Sequence, residues 1–404
     1  MKAHPENLTT GLVLPGGGAR GAFQVGVLKA LAEILPDDCE NPFPVLSGTS
    51  AGAINSIVLA SRAKHFYRAV QELEDVWSNF ESHQVFKDDS MTMLKSSLHW
   101  LSSIVLGGFL VGTPKSLLDN SPLRVLLNRN IAFPLIDQAI DKGYLEAIAV
   151  TAAGYGSARS TTFFQAAEHC AEWSRKRRNG KRGPLHLDHL MASIAVPMIF
   201  PPVRIGGEYF GDGAMRQATP LSPAIHLGAD RILVIGVRDE TADPPPDPSQ
   251  PQDFPSFANI AGYMLDTLFM DGLYSDLERM TRINQLIDSV PDVQRHGSLE
   301  HVRPIDTMVV LPSRDLREIA YEHRKEMPGT VRALLNGVGG KNRSENRLIS
   351  FLLFEQQYTK ALIELGYNDG MKVADALRDF VCGKPVPRLF APEWVTDDLS
   401  RFDN

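Results

Sequence analysis

The sequence predicts an α/β fold, with a mainly parallel central sheet flanked by helices, a helical insertion and a helical C-terminal extension. Three observations carry this. Buried-strand and helical patterns alternate through the first 60 residues; a stretch without strand signals follows; and the last third is mostly helical.

The elements follow in order. Leu12 to Leu14 is a short apolar strand, and Phe23, Val27, Ala30, Leu31 and Ile34 recur at helical spacing behind a glycine-rich turn. Pro36 ends that helix. "FPVLSG" is a second strand and "AGAINSIVLAS" a second helix. From about 64 to 140 the chain reads as a helical insertion or cap. It contains "HFYRAVQELEDVWSNF" and a stripe of Leu94, Leu98, Leu101 and Val105 beside Trp100. Strands return in "EAIAVTAA" and "STTFFQ", and "LDHLMASIAV" is a helix ended by Pro197. "GEYFGDGAM" is a strand running into a turn, and "RILVIGV" a buried strand. The expected catalytic domain spans 8–240. A proline-rich linker covers 241–255, and 256–404 is a helical region partly packed on the core. It starts with a long helix from about Ser256 to Ser289 and includes a late strand, "DTMVVLP".

Bulk properties narrow the function classes. The chain has 404 residues, 43% of them hydrophobic and 22% charged, as in ordinary globular proteins. A net charge of -7 argues against nucleic-acid partners. Cys39, Cys170 and Cys382 are odd in number and far apart, so neither a disulfide framework nor a zinc cluster is expected. No secretory signal and no membrane-spanning run is expected, which gives a cytoplasmic protein with room for peripheral membrane contact.

Two motifs carry chemistry. Gly16, Gly18 and Gly21 satisfy G-x-G-x-x-G between a strand and a helix, as a dinucleotide-binding turn would. Such a turn needs an acidic residue at the end of the second strand. That strand instead ends in "SGTSAG", where Gly48, Ser50 and Gly52 fit the G-x-S-x-G nucleophile elbow, with Thr49 and Ala51 between them. Glu40 precedes the strand and is badly placed for a ribose. The serine needs a proton acceptor. Of the Asp-Gly pairs at Asp212, Asp271 and Asp369, only Asp212 falls at a strand end; Asp271 lies inside a helical pattern and Asp369 after one. A Ser-His-Asp triad is the rival arrangement, with His226 or His301 following Ser50 and Asp212, although His226 reads as a structural residue within a helix.

The blocks "PGGGARGAFQVGVL", "GTSAG", "SIAVPMIFPPV" and "DGA" resemble, in order and spacing, those of the patatin-like phospholipases. "NSPL" and "HLGADRILVIGV" are similar to segments of bacterial members, and the resemblance covers roughly residues 10–240. It implies the patatin-like fold and a Ser-Asp dyad without histidine: Ser50 as nucleophile, Asp212 as base. It also implies an oxyanion loop at Gly16, Gly17, Gly18, Ala19 and Arg20, and no cofactor or metal. The expected activity is serine hydrolysis of fatty-acyl esters in phospholipids or lysophospholipids. The alternatives are an esterase or thioesterase on neutral lipids or acyl-CoA, a dinucleotide-dependent oxidoreductase, and a catalytically silent lipid-binding module. Burial would raise the Asp212 pKa above the ordinary value near 3.9 and make it a better base. Backbone amides of Gly17, Gly18 and Ala19 would hold an oxyanion, each worth on the order of 3 kcal/mol.

Other features allow two readings each. Arg20 either braces the loop and adds positive potential or is a surface arginine. "RKRRNGKR" has six basic residues between Arg175 and Arg182, either meeting anionic headgroups or forming a solvated loop. The Leu94 stripe is either a lid or core packing. The stripe of Phe351, Phe354, Tyr358, Leu362 and Leu365 is either a homodimer face or core.

Overall fold

A computed structural model describes residues 8–87, 116–238, 254, 256–290, 302–337, 346–384 and 386. The Leu94 stripe with Trp100, His301 and nearly all of the 241–255 linker lie outside the described residues.

The opening alternation becomes β1 (Thr10–Leu14), α1 (Gly21–Ile34), β2 (Val45–Thr49) and α2 (Ala51–Ser61). Every residue of β1 and β2 is buried, as a strand covered by helices on both faces requires. The insertion carries α3 (Phe66–Ser78), α4 (Ser121–Asn130) and α5 (Pro134–Asp141). On α3, Phe66, Ala69, Val70, Leu73 and Trp77 are buried at helical spacing.

The middle of the chain is mostly β. It comprises β3 (Ala147–Gly154), β4 (Ser160–Ala166), β5 (Trp173–Ser174) and β6 (Arg178–Arg182), then α6 (Leu187–Ser193), β7 (Val203–Ile205) and β8 (Glu208–Asp212). Helix α6 stops at Ser193, four residues before Pro197, earlier than the sequence pattern predicts. The basic cluster is half loop and half strand: β5 and β6 pair antiparallel, with Trp173 opposite Gly180, residues 175–177 form the exposed turn between them and Arg178–Arg182 lie in β6.

The remainder supplies α7 (Ser222–His226), β9 (Arg231–Ile235), α8 (Phe257–Asp266), α9 (Gly272–Ser289), β10 (Asp306–Val310), α10 (Asn346–Leu352) and α11 (Gln356–Lys372). A π-helical turn over Thr267–Asp271 interrupts the long helix expected from Ser256 to Ser289. Asp369 falls inside α11, where its carboxylate takes the Ser313 amide and hydroxyl, rather than after a helix.

Five strands run parallel in the order β10-β9-β1-β2-β3. Beyond β3 the direction reverses at β4. The decisive feature is the length of β3. Its first five residues pair parallel with all of β2, Thr49 standing opposite Thr151. Its last three pair antiparallel with β8, Asp212 standing opposite Ala152. Strands β2 and β8 therefore share one edge of β3 and meet there end to end, carboxyl terminus against carboxyl terminus.

Helix α1 is buried along nearly its whole length, between the sheet and α11. A Cβ on Gly366 would lie 2.2 Å from the Phe23 carbonyl oxygen, so the two helix backbones are in direct contact there. Tyr358 and Leu362 of α11 are fully buried and Phe351 nearly so. The C-terminal stripe is thus core of this chain, each large apolar side chain contributing roughly 1.5–3 kcal/mol. Among the described residues, no helix is long and apolar enough to cross a membrane.

Candidate active site

Ser50 is the hinge between β2 and α2, with φ 54° and ψ −128°. A side chain at such a φ costs of order 1–3 kcal/mol and persists only when its surroundings fix it. Two constraints do so here. The Ser50 amide donates to Ser193 Oγ at 2.9 Å, and that hydroxyl donates onward to the Thr151 carbonyl at 2.7 Å. The Ala53 amide donates to the Ser50 carbonyl at 2.9 Å and starts the helix. Gly52 permits the sharp turn, because a Cβ there would lie 2.0 Å from the Leu14 carbonyl oxygen of β1. Thr49 bonds the Gln217 side chain and so ties β2 to the segment after β8.

The glycine loop lies beside this elbow because β1 and β2 are neighbours, with Leu14 opposite Gly48. A Cβ on Gly16 would lie 2.8 Å from the Ser50 Cβ. Gly18 adopts φ +54° and opens a 3-10 turn over Gly18–Arg20. Among the described residues, the amides of Gly17, Gly18 and Ala19 donate to no backbone carbonyl. The Arg20 amide differs: it donates to the Gly17 carbonyl at 3.1 Å and is therefore not a free donor.

The Arg20 side chain overturns the surface reading. It is 1% exposed. Its Nη1 lies 3.1 Å from Asp266 Oδ1 of α8, Nε and Nη2 donate to Ser350 Oγ of α10 at 3.0 and 2.7 Å, and its guanidinium stacks on Phe351. Burial pulls its pKa below the ordinary value and Asp266 opposes that pull. Arg20 thus braces the loop against the C-terminal helices.

Asp212 is 1% exposed and ends β8. Its Oδ1 accepts the Ala214 amide at 2.9 Å, while Oδ2 is buried and has no full hydrogen bond. Burial pushes its pKa up to about 7; the neighbouring Ser50 hydroxyl and the Ala214 amide only partly offset this. A carboxylate with that proton affinity can accept and return a proton near neutral pH.

His226 turns elsewhere. Its Nδ1 faces the carbonyl of Ser222, the first residue of its own short helix, at 2.9 Å, and its ring packs on Trp173. It is the last residue of α7, not a mid-helix one. Among the described residues, no histidine bonds either Ser50 or Asp212.

Over Ser50 and Gly18 lies a cavity lined almost wholly by apolar side chains, including Trp77, Ile199, Leu265, Phe269 and Phe354. Its free volume is about 40 Å³.

Several supporting residues escaped the sequence reading. Gln24 Nε2 donates to the carbonyls of Pro15 (2.9 Å) and Ile235 (3.2 Å), while its Oε1 accepts from Asn55 Nδ2 at 3.0 Å. Asn55 Oδ1 accepts from Trp77 Nε1 at 2.8 Å. This buried chain fixes the entry to the glycine loop. Its only trace in the sequence is polar Gln24 and Asn55 on otherwise apolar helix faces. Ser193 lies inside the quoted "SIAVPMIFPPV" block, but its contact with the Ser50 amide is 143 residues away in sequence.

The sheet thus brings together a strained serine at a strand–helix elbow, a glycine loop beside it and a desolvated aspartate. The family model for patatin-like phospholipases matches residues 12–225, and the chain belongs to that family. "Patatin-like phospholipase domain-containing protein 7" of Rattus norvegicus is 44% identical over 70 residues, 17% of this chain and 5% of that protein. "Lysophospholipase nte1" of Aspergillus terreus is 49% identical over 55 residues, 14% of this chain and 3% of that protein. The matches therefore span a small part of these relatives. Among solved structures, human GIVD cytosolic phospholipase A2 aligns over 93% of this chain and 60% of its own, with 11% identity and TM-score 0.42. VipD from Legionella pneumophila aligns over 92% and 67%, with 14% identity and TM-score 0.35.

Proposed function

We propose that this chain is a serine acyl hydrolase that cleaves fatty-acyl esters of phospholipids or lysophospholipids through Ser50 and Asp212. The observation that carries the reading is the end-to-end meeting of β2 and β8 on β3, which brings a strained serine to a buried carboxylate with a pKa near 7. Membership of the patatin-like phospholipase family and the apolar cavity over Ser50 support a fatty-acyl substrate.

In the proposed reaction, Ser50 Oγ bonds to the ester carbonyl carbon while its proton passes to Asp212 Oδ2. The carbonyl electrons move onto oxygen, where the free amides of Gly17, Gly18 and Ala19 receive the charge. As the tetrahedral species collapses, the ester C–O bond breaks and Asp212 returns the proton to the leaving alcohol. Water then attacks the acyl-serine with Asp212 again taking the proton; the bond between the acyl carbon and Ser50 Oγ breaks, Asp212 returns the proton to Ser50 Oγ, and the fatty acid leaves. The same carboxyl group works in both directions because its pKa is close to the working pH.

A fluorophosphonate probe tests this reading. Covalent labelling is expected at Ser50 and is expected to vanish in Ser50→Ala. A folded protein that resists the probe, or one whose melting temperature rises with NAD(P) instead, would overturn it.

A further inference from the structure

A second and larger cavity near the site differs in character. It offers about 620 Å³ and is lined by Arg177, Arg178, Arg216 and Arg279 together with hydroxyls such as Thr162 and Ser222. These arginines come from three separate segments: the β5–β6 hairpin, the turn after β8, and α9. No local charge run in the sequence shows all four together.

Their partners are few. Arg178 Nη1 donates to Thr219 Oγ1 at 2.5 Å, while its Nε is buried with no partner. Arg279 stands 3.9 Å from Asp276, a carboxylate that acts on both Arg279 and Arg178. One Asp276 oxygen already takes the Leu221 amide at 3.0 Å. Arg177 and Arg216 are exposed and have no carboxylate partner among the described residues. Four guanidinium groups facing one engaged carboxylate leave a net positive cavity. Planar guanidinium groups beside hydroxyl donors suit the oxygens of a phosphate.

The cavity also adjoins the reacting pair. Its wall includes Ala214, whose amide holds Asp212 Oδ1, and Gln217, which is bonded to Thr49 next to Ser50. The π-helical turn divides the two cavities. Phe269 lines the apolar one, while Thr267 and Leu268 line the basic one. The site therefore has an apolar side and a cationic side, which is the polarity of a molecule with an acyl chain and a phosphate.

We propose that the cavity around Arg177, Arg178, Arg216 and Arg279 is a subsite for a phosphate carried by the substrate. This rests on the hydrolase reading above and deepens it, because an uncharged acyl ester would leave the cavity unused. A phospholipid headgroup and the phosphates of acyl-CoA share this chemistry.

The test uses Arg177→Gln and Arg216→Gln, singly and together, since both side chains are exposed and their loss leaves no buried partner. Ser50→Ala protein is titrated calorimetrically with glycerol 3-phosphate and, in parallel, with glycerol. Binding of the phosphate compound alone is expected, weakened about tenfold by each arginine change. In the active protein, the ratio of kcat/KM for a lysophosphatidic acid over the monoacylglycerol of the same chain is expected to fall about tenfold per change. Palmitoyl-CoA run alongside separates the sources. An arginine-dependent preference for it assigns the cavity to the coenzyme's phosphates, and the same preference for the lysophospholipid assigns it to a headgroup. Absence of glycerol 3-phosphate binding, or a selectivity ratio that both changes leave unaltered, overturns the subsite even if hydrolysis is robust. Arginine-dependent phosphate binding without any ester cleavage keeps the subsite and sinks the hydrolase reading instead.

Discussion

The two halves of the sheet hold their candidate catalytic residues by different means. On the parallel side, β1 and β2 place the glycine loop and Ser50, and the serine is held under backbone strain by hydrogen bonds to Ser193 and Ala53. On the antiparallel side, β8 places Asp212, whose backbone is relaxed and whose carboxyl group is instead desolvated. One half stores conformational strain and the other stores electrostatic cost. The difference shows that a serine and a carboxyl group can be brought together from opposite strand directions, provided one long strand templates both.

The most severe way to break this pairing is to remove either member. Ser50→Ala and Asp212→Asn are each expected to lower kcat/KM on a lysophospholipid by roughly 10⁴-fold or more. An Asp212→Asn enzyme with a tenth of wild-type activity would show that the antiparallel half is dispensable.

Titration probes the electrostatic half directly. Asp212 must be ionised to accept a proton, so kcat/KM should rise with pH through about 7 and then level off. Stability runs the other way. The folded pKa is raised from 3.8 to about 7, so its contribution is complete below about pH 4 and is lost as pH rises through 7. Asp212→Asn should therefore melt above wild type at pH 8, by at most on the order of 4 kcal/mol, with the gap closing at pH 4. Equal melting temperatures at both pH values would contradict a desolvated carboxylate.

The hydroxyl that pins the elbow offers a gentler perturbation. Ser193→Ala frees the Ser50 amide and is expected to reduce kcat by about 10- to 100-fold, with Ser193→Thr restoring much of it. An unchanged kcat would mean that the Ala53 bond and Gly52 suffice to hold the turn.

The smallest expected effect isolates the strain. Ser50→Gly should be more stable than Ser50→Ala by about 1–2 kcal/mol, because glycine accepts φ 54° without steric cost. Chemical denaturation of the two inactive variants measures it.

The same division governs what the sequence discloses. The parallel half is legible because its signals are local: an apolar run, a glycine turn, a helical period, and the G-x-S-x-G elbow at a strand end. Asp212 is legible as a strand-end Asp-Gly. The direction of β8 is not, because it depends on β3 running three residues past β2. Ser193, Gln24 and Gln217 act through contacts between distant segments, and a single polar residue carries no period. The basic cluster misleads for a related reason. Arg182 is spent on the carbonyls of Ala166, Glu168 and Cys170, whereas the cavity draws Arg216 and Arg279 from elsewhere.

The buried guanidinium of Arg20 bears on how the chain can be divided. The matched family region ends at residue 225, yet Asp266, Ser350 and Phe351, the groups that accommodate this cation, all lie beyond it. A protein shortened to that boundary would also lose β9, the strand that flanks β1. It would carry an orphaned positive charge directly beneath its glycine loop, a penalty of about 3–5 kcal/mol for a broken buried pair. The part of the chain beyond residue 225 is in this sense an internal counter-ion, and the smallest unit that folds by itself is expected to extend to α11.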